Sequence, residues 1–338
     1  MKRLVVALAL AFLPLAAFAQ VDRDVLLTSD GTLFTVESLF ATPDAKVSST
    51  RYLTLTVQNG SDSKSEIVPA SSNGGAHVEP SLAYDAETKT LFLFWEAARA
   101  GALATDLAFT WYRDGKWGNL TTLDGADWDL RSNLRIALTR KTQTMAYDGT
   151  ASTIPEITIH AVWWETGRTS SWARYAMITF DHGDAIVDAV ENLSDFVGKP
   201  AAATLLDTPS KRELLAHPAI FEASNHETVD VVFGDPRTDK LHRVTLRPVD
   251  QGLKIRIPIG RSRELPTPTV NIVADTQVSA MNASNGSDDM AYYFATTDSV
   301  KYMLYKDGKW TGLRTIALNE KLSSDAAVGA LQRLLRSE

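Results

Sequence analysis

Three features of the amino-acid sequence predict an all-β fold, a β-propeller of five four-stranded blades. An Asp-Gly-Lys-Trp turn is written twice, in "YRDGKWGNLTTL" (112–123) and "YKDGKWTGLRTI" (305–316), 193 residues apart. Apolar, β-rich runs end repeatedly in an aromatic, an acid and an arginine: "LFLFWEAAR" (91–99), "IHAVWWETGR" (159–168) and "VDVVFGDPR" (229–237). The markers keep a spacing. Arg99, Arg168 and Arg237 are separated by 69 and 69, Trp95 and Trp164 by 69, Glu96 and Glu165 by 69, and His77 and His217 by 140. Such a period marks a repeat architecture, in which one small sheet cannot bury its faces alone and stacks on the next. Radial arrangement leaves only short, protected sheet edges. Six or seven blades, should the long third repeat hold another, and a pair of β-sandwiches are the alternatives.

The elements follow in chain order. Residues 1–19 carry basic Lys2 and Arg3, an apolar run, and Ala17 and Ala19 at the −3 and −1 positions before Gln20. That is the layout of a cleaved signal peptide. The run is interrupted by Pro14 and is shorter than the ~20 apolar residues that span a bilayer. No later run is long and apolar enough to span. Residues 20–322 form the propeller domain, in units of about 21–75, 76–126, 127–200, 201–263 and 264–320. Four strands are read in each, for example "PSLAYDA", "TLFLFWEA", "LAFTWYRD" and "KWGNLTTL" in the second, and "HPAIFEA", "TVDVVFGD", "LHRVTLRP" and "LKIRIPI" in the fourth. β-Branched and aromatic residues dominate them, and Asn, Asp, Gly and Pro separate them. The Asp-Gly pairs suit the positive φ of a tight hairpin joining third and fourth strands. Trp117 and Trp310 then cover apolar surface between neighbouring units. Residues 323–338 are different. Ser323 or Ser324 caps, Asp325 suits a first turn, and Val328, Leu331, Leu334 and Leu335 share one face, which predicts a short amphipathic helix.

Composition narrows the function classes. The chain has no cysteine, so no disulfide supports an exported fold. Its formal charge is −7, and −9 once Lys2 and Arg3 are removed with the leader. Without a basic run, such a chain is not expected to bind nucleic acid or anionic lipid. There is no G-x-S-x-G elbow, phosphate-cradling glycine loop or H-E-x-x-H pair.

The candidate site is a polar rim. In a propeller, the link from second to third strand and the start of the first strand lie at the same end. Glu96, Arg99, Glu165, Arg168, Asp235 and Arg237 belong to the former, and His77, Glu79, Arg131 and His217 to the latter. Arginine offers a planar fork for carboxylate or phosphate, and the acids would accept from sugar hydroxyls. The competing reading is structural: each acid lies two or three residues from its arginine and pairs with it or with the next unit. Glu37 in the first unit and Asp298 in the fifth have no such arginine. His77 and His217 are acid–base candidates, against a role as hydrogen-bonded strand-start residues. No cofactor is expected. Asn282, Asn285, Asp288 and Asp289, or Asp127 and Asp129, offer oxygens for Ca²⁺, against plain solvated loops. Trp95, Trp163, Trp164 and Trp172 offer sugar-stacking rings, against core packing. Trp163 and Trp164 must point to opposite faces of their sheet, both buried between neighbouring blades.

The units resemble the blades of bacterial secreted β-propellers of the sialidase-like, BNR-like repeat superfamily. The resemblance spans residues 76–320 and rests on "PSLAYDAETKTLFLFWEAAR", "HPAIFEASNHETVDVVFGDPR" and the two DGKW hairpins. It implies a propeller that meets glycans. "TSDGTLF" and "YRDGKW" depart from that family's Asp-box, S-x-D-x-G-x-x-W, and no Tyr–Glu nucleophile pair is recognisable. Arg99, Arg168 and Arg237 do not map onto its arginine triad. The expectation is an exported, periplasmic or extracellular, non-catalytic propeller that binds a glycan, peptide or partner protein through the rim. The alternative is a glycoside hydrolase using two rim carboxylates, about 5–5.5 Å apart for retention or about 6.5–9.5 Å for inversion.

Overall fold

The computed structural model describes residues 23–41, 50–98, 104–123, 130–147, 150–167, 171–181, 183–197, 218–223, 226–235, 237, 240–250, 256–266, 279–282, 290–295, 299–317 and 331. Among them the regular elements are 22 strands and two 3₁₀ turns. The strands fall into successive antiparallel meanders. The first holds β1 (Arg23–Leu27), β2 (Leu33–Phe40), β3 (Arg51–Asn59) and β4 (Asp62–Ile67). The second holds β5 (Ala76–Asp85), β6 (Thr90–Ala98) and β7 (Thr105–Arg113), with an outer edge split into β8 (Lys116–Trp117) and β9 (Thr121–Leu123). One parallel pair, Arg51 with Ala76, joins these two units. The third is β10 (Leu130–Tyr147), β11 (Thr150–Thr166), β12 (Ser171–Asp181) and β13 (Asp184–Asn192). The fourth is β14 (Ala219–Glu222), β15 (Val229–Asp235), β16 (Lys240–Asp250) and β17 (Arg256–Leu265). The last holds β18 (Ser279–Asn282), β19 (Met290–Ala295) and β20 (Ser299–Lys306), with a split edge of β21 (Lys309–Trp310) and β22 (Arg314–Ala317).

The first strands of consecutive units are neighbours: β1 with β5, β5 with β10, β10 with β14, and β14 with β18. Side chains of one unit accept from backbone N–H groups of the next. Asp24 Oδ2 accepts from Leu82 at 2.7 Å and Ser81 Oγ from Ile136 at 3.2 Å. Glu79 Oε2 accepts from Asn133 N–H. Glu79 and Asn133 hold φ of 49° and 59°, at bulges in β5 and β10. Each bulge turns the backbone so that it meets the adjacent unit.

The core lies between sheets, one cluster per boundary. Phe34, Val36, Leu53 and Leu55 of the first unit meet Leu91, Leu93 and Trp95 of the second. Phe92, Phe94 and Phe109 meet Ile157, Ile159 and Trp163 of the third. Trp164, Tyr175 and Met177 meet Val231, Phe233 and Val244 of the fourth, whose Phe221, Val232 and Leu241 meet Met290, Tyr292 and Met303 of the last. A middle strand is therefore buried on both faces, and β15 is buried along its whole length. Trp163 and Trp164 are both buried and enter clusters on opposite sides of their sheet, as strand alternation requires.

The repeat spacing needs one correction. Trp95 faces the preceding unit, and so does Trp163, whereas Trp164 faces the following one. The equivalent of Trp95 is thus Trp163, 68 residues on, and the sequence-level match of Trp95 with Trp164 is off by one. A single-residue offset moves a side chain to the other face, so Glu96 and Glu165 are not equivalent either.

The two DGKW hairpins are built alike. Arg113 pairs with Lys116 and Lys306 with Lys309. Asp114 and Gly115 have φ of 50° and 76°, and Asp307 and Gly308 have 52° and 77°. Positive φ at both central residues is the geometry whose twist matches the flanking strands. Trp117 Nε1 donates to Glu66 Oε1 of β4 at 3.0 Å, and Trp310 Nε1 to the Pro266 carbonyl just after β17 at 2.7 Å. Each Trp reaches back to the outer edge of the preceding unit.

The extra length of the third repeat goes into one hairpin. β12 pairs with β11 only from Ile157 to Thr166, so Lys141–Tyr147 and Thr150–Glu156 run on as a two-stranded ribbon. The segment expected to be a signal peptide lies outside the described residues, as does the expected C-terminal helix apart from Leu331. That residue is buried against Ala291, Tyr302 and Leu304.

Candidate functional site

The described rim residues gather at one end of the sheets. Val78 sits opposite Glu96, and Arg131 opposite Glu165, at the start of a first strand and the end of a second. Arg99, Arg168 and His217 lie outside the described residues, as do Asp127, Asp129, Asn285, Asp288, Asp289 and Asp298.

What is described is bonded inward. The indole N–H of Trp95 donates to His77 Nδ1 at 2.8 Å, and His77 Nε2 is 2.7 Å from Asn73 Oδ1. An indole only donates, so Nδ1 is the acceptor and the proton sits on Nε2. Burial lowers the His77 pKa, and the ring stays neutral. Its backbone carbonyl accepts from Ser38 Oγ at 2.5 Å. His77 therefore ties the first two units together.

Glu165 meets three donors. Arg131 Nε and Trp163 Nε1 reach Oε2 at 3.3 and 3.2 Å, and Arg174 Nε lies 3.4 Å from Oε1. Arg131 also donates to the Leu123 carbonyl at 2.6 Å and lies 5.4 Å above the Trp163 ring. Asp235 is fully buried. Its carboxylate accepts from Ser194 Oγ at 3.0 Å, from Arg237 N–H at 3.0 Å, and from the Arg237 guanidinium at 2.9–3.2 Å. The same guanidinium reaches the Ser194 carbonyl, in the 3₁₀ turn Leu193–Val197 of the third unit. Strand alternation puts Glu96 on the Phe94 side of β6 and Glu165 on the Trp163 side of β11, so they line facing sides of one boundary.

The opposite end of the sheets holds a feature that sequence reasoning missed. A cleft of about 340 Å³ opens between the third and fourth units. One wall is the base of the β10–β11 ribbon, with Thr139, Arg140, Lys141 and Thr158. The other is the far end of the β16–β17 hairpin, with Arg247–Asp250 and Arg256. Lys141 Nζ and Asp250 Oδ2 are 2.6 Å apart across it. Arg256 pairs with Glu156, donates from Nη1 to Thr158 and Thr179 at 3.0 Å, and from Nε to Asp250 at 3.1 Å. Lys141, with help from Arg256, holds the Asp250 carboxyl below the usual range.

Thr139 opens onto a buried chain. Its Oγ1 is 2.7 Å from His160 Nε2, and His160 Nδ1 is 2.6 Å from the Tyr175 hydroxyl. Burial, with the Arg256 charge, pushes His160 down to about 3. Burial raises Tyr175. A ring so weakly basic cannot take a proton from Thr139 near neutral pH, so the triad is a polar strut. Its sequence signal was a lone histidine inside an apolar strand.

No family model matches the chain, and no curated protein matches it. Solved structures that resemble it include a leech intramolecular trans-sialidase at 11% identity and TM-score 0.31, covering 89% of this chain and 51% of that one. The NanB sialidase of Streptococcus pneumoniae matches at 10% identity and TM-score 0.31, covering 90% of this chain and 52% of that one. A GH43_12 protein from a capybara gut metagenome matches at 8% identity and TM-score 0.26, covering 90% and 69%. The chain spans about half the length of the two sialidases. At these scores the likeness assigns no residue role and no activity.

Proposed function

We propose that the chain is an exported five-bladed β-propeller that binds a glycan, peptide or partner protein at its polar end, without cleaving it and without a cofactor. The observation that supports binding over catalysis is the state of three described rim carboxylates. Glu79 accepts from the next unit's backbone, Glu165 is shared by two arginines, and Asp235 is buried in a bidentate clamp. Glycoside hydrolysis needs two carboxyl groups facing one substrate, one of them ready to give a proton. Glu79 and Asp235 are spent on holding units together and Glu165 on bracing the third unit, and the bound partner meets what they support. Five-fold closure is favoured by the side-by-side first strands and the recurring boundary clusters. Export is favoured by the leader.

The test uses the mature chain, residues 20–338, on a glycan array and on a panel of chromogenic glycosides that includes sialosides. Binding without turnover, weakened by Arg168→Ala, is expected. Turnover that disappears in Glu165→Gln or Asp235→Asn would replace this reading with a glycosidase.

A further inference from the structure

We propose that the cleft between the β10–β11 ribbon and the β16–β17 hairpin is a second binding site, for a carboxylate-bearing sugar. The site is at the opposite end of the sheets from the polar rim and does not depend on it. Its volume, about 340 Å³, lies at the small end of the roughly 300–1,000 Å³ typical of small-molecule sites, with room for one or two sugar rings.

The lining is mixed in the way such a ligand requires. Four cations, Arg140, Lys141, Arg247 and Arg256, and two acids, Glu227 and Asp250, border the cleft, so cations outnumber acids there in a chain whose net charge is −7. Three of them are held in place: Arg140 by Asp85 and Glu87, Lys141 by Asp250, and Arg256 by Glu156 and Asp250. Arg247 is exposed, and among the described residues it has no ion pair or hydrogen bond. Its guanidinium offers the forked donor set that matches a carboxylate. The exposed Asp250 carboxylate suits sugar hydroxyls, and Pro248 and Val249 offer an apolar face for ring carbons.

The walls are pre-formed. Both are two-stranded hairpin extensions from adjacent units, and the Lys141–Asp250 and Arg256–Glu156 pairs cross between them. A ligand entering a cleft already braced loses less in ordering its walls.

Calorimetric titration of the mature chain with glucuronate, glucose and inorganic sulfate tests the assignment. Glucuronate should bind at least about tenfold more tightly than either of the others. Arg247→Ala, at an exposed position, should weaken glucuronate roughly tenfold to hundredfold, as loss of a charge-assisted pair does. Arg314→Ala, on the last unit, should leave binding unchanged. No glucuronate binding, equal glucose binding, or an unaffected Arg247→Ala variant would overturn the site. Sulfate binding as tight as glucuronate would overturn its assignment to a sugar.

Discussion

His160 has a consequence for stability. It is fully buried and its pKa falls to about 3, against 6.5 in the unfolded chain. Between those values the unfolded state binds the proton that the folded state refuses, so stability rises with pH there. The contribution is complete above pH 6.5 and is lost as pH falls toward 3, at about 1.4 kcal/mol per pH unit. His77, also lowered by burial, adds to the same slope. Urea unfolding at pH 6.5 and 5.0 should show His160 costing roughly 2 kcal/mol over that interval. His160→Gln should remove that part of the slope, and equal slopes would refute the assignment. Asp235 supplies a second residue-scale prediction. Asp235→Ala leaves the Arg237 guanidinium and Ser194 hydroxyl without their acceptor and should cost about 3–5 kcal/mol in chemical denaturation. Lys240→Ala breaks an exposed pair with Glu264 and should cost under about 1 kcal/mol. The Asp235–Arg237 pairing was legible because its members lie two positions apart in the chain. The Glu165 clamp was not, since its cations come from two other strands. The cleft was invisible for the same reason: Lys141 and Asp250 are 109 residues apart.

At the scale of the element, the two DGKW hairpins are an internal duplicate of one experiment. Gly115 and Gly308 have φ of 76° and 77°, and a Cβ added at either would meet nothing within 4 Å. Substitution by alanine therefore carries backbone strain and no clash. Gly115→Ala and Gly308→Ala should each cost about 1 kcal/mol, and the double variant about twice that, because distant sites add. Thermal unfolding of the three variants checks this, and a marked departure from additivity would mean the hairpins are coupled. The turn was readable because Asp-Gly encodes its own geometry. Strand facing was less readable. The Trp95 and Trp164 match has the right residue type, yet the face is set by the register that each unit adopts on its neighbours. A linker shorter by one residue flips every side chain after it, and composition records no such shift. The length of the β10–β11 ribbon was likewise hidden. Its sequence alternates as any strand does, and only the end of β12 pairing marks where the sheet stops.

At the scale of the molecule, the sequence made the meander order and the stacking of units legible through the spacing of buried aromatics, but closure depends on where the first and last units meet. Register makes that question testable. Ser81 lies opposite Phe94, and Phe94 opposite Phe109, three residues before Tyr112, which pairs with Trp117. Ser279 lies opposite Tyr293, and Tyr293 opposite Tyr302, three residues before Tyr305, which pairs with Trp310. Ser279 is thus the counterpart of Ser81, and Ser81 touches Ile136 in the first strand of the following unit. In a closed ring the unit that follows the last is the first, so Ser279 should lie beside β1. The chain has no native cysteine, so introduced thiols are the only ones present. Ser279→Cys combined with Val25→Cys should form an intramolecular link with a short bis-maleimide, seen as a mobility shift on a denaturing gel. Ser279→Cys combined with Ser81→Cys, with a whole unit between them, should not. A linked first pair would also tether the first and last units, and should raise the thermal midpoint. If the folded protein links neither pair, the sheets form an open arc, and the β1 edge is left to another part of the chain or to a partner.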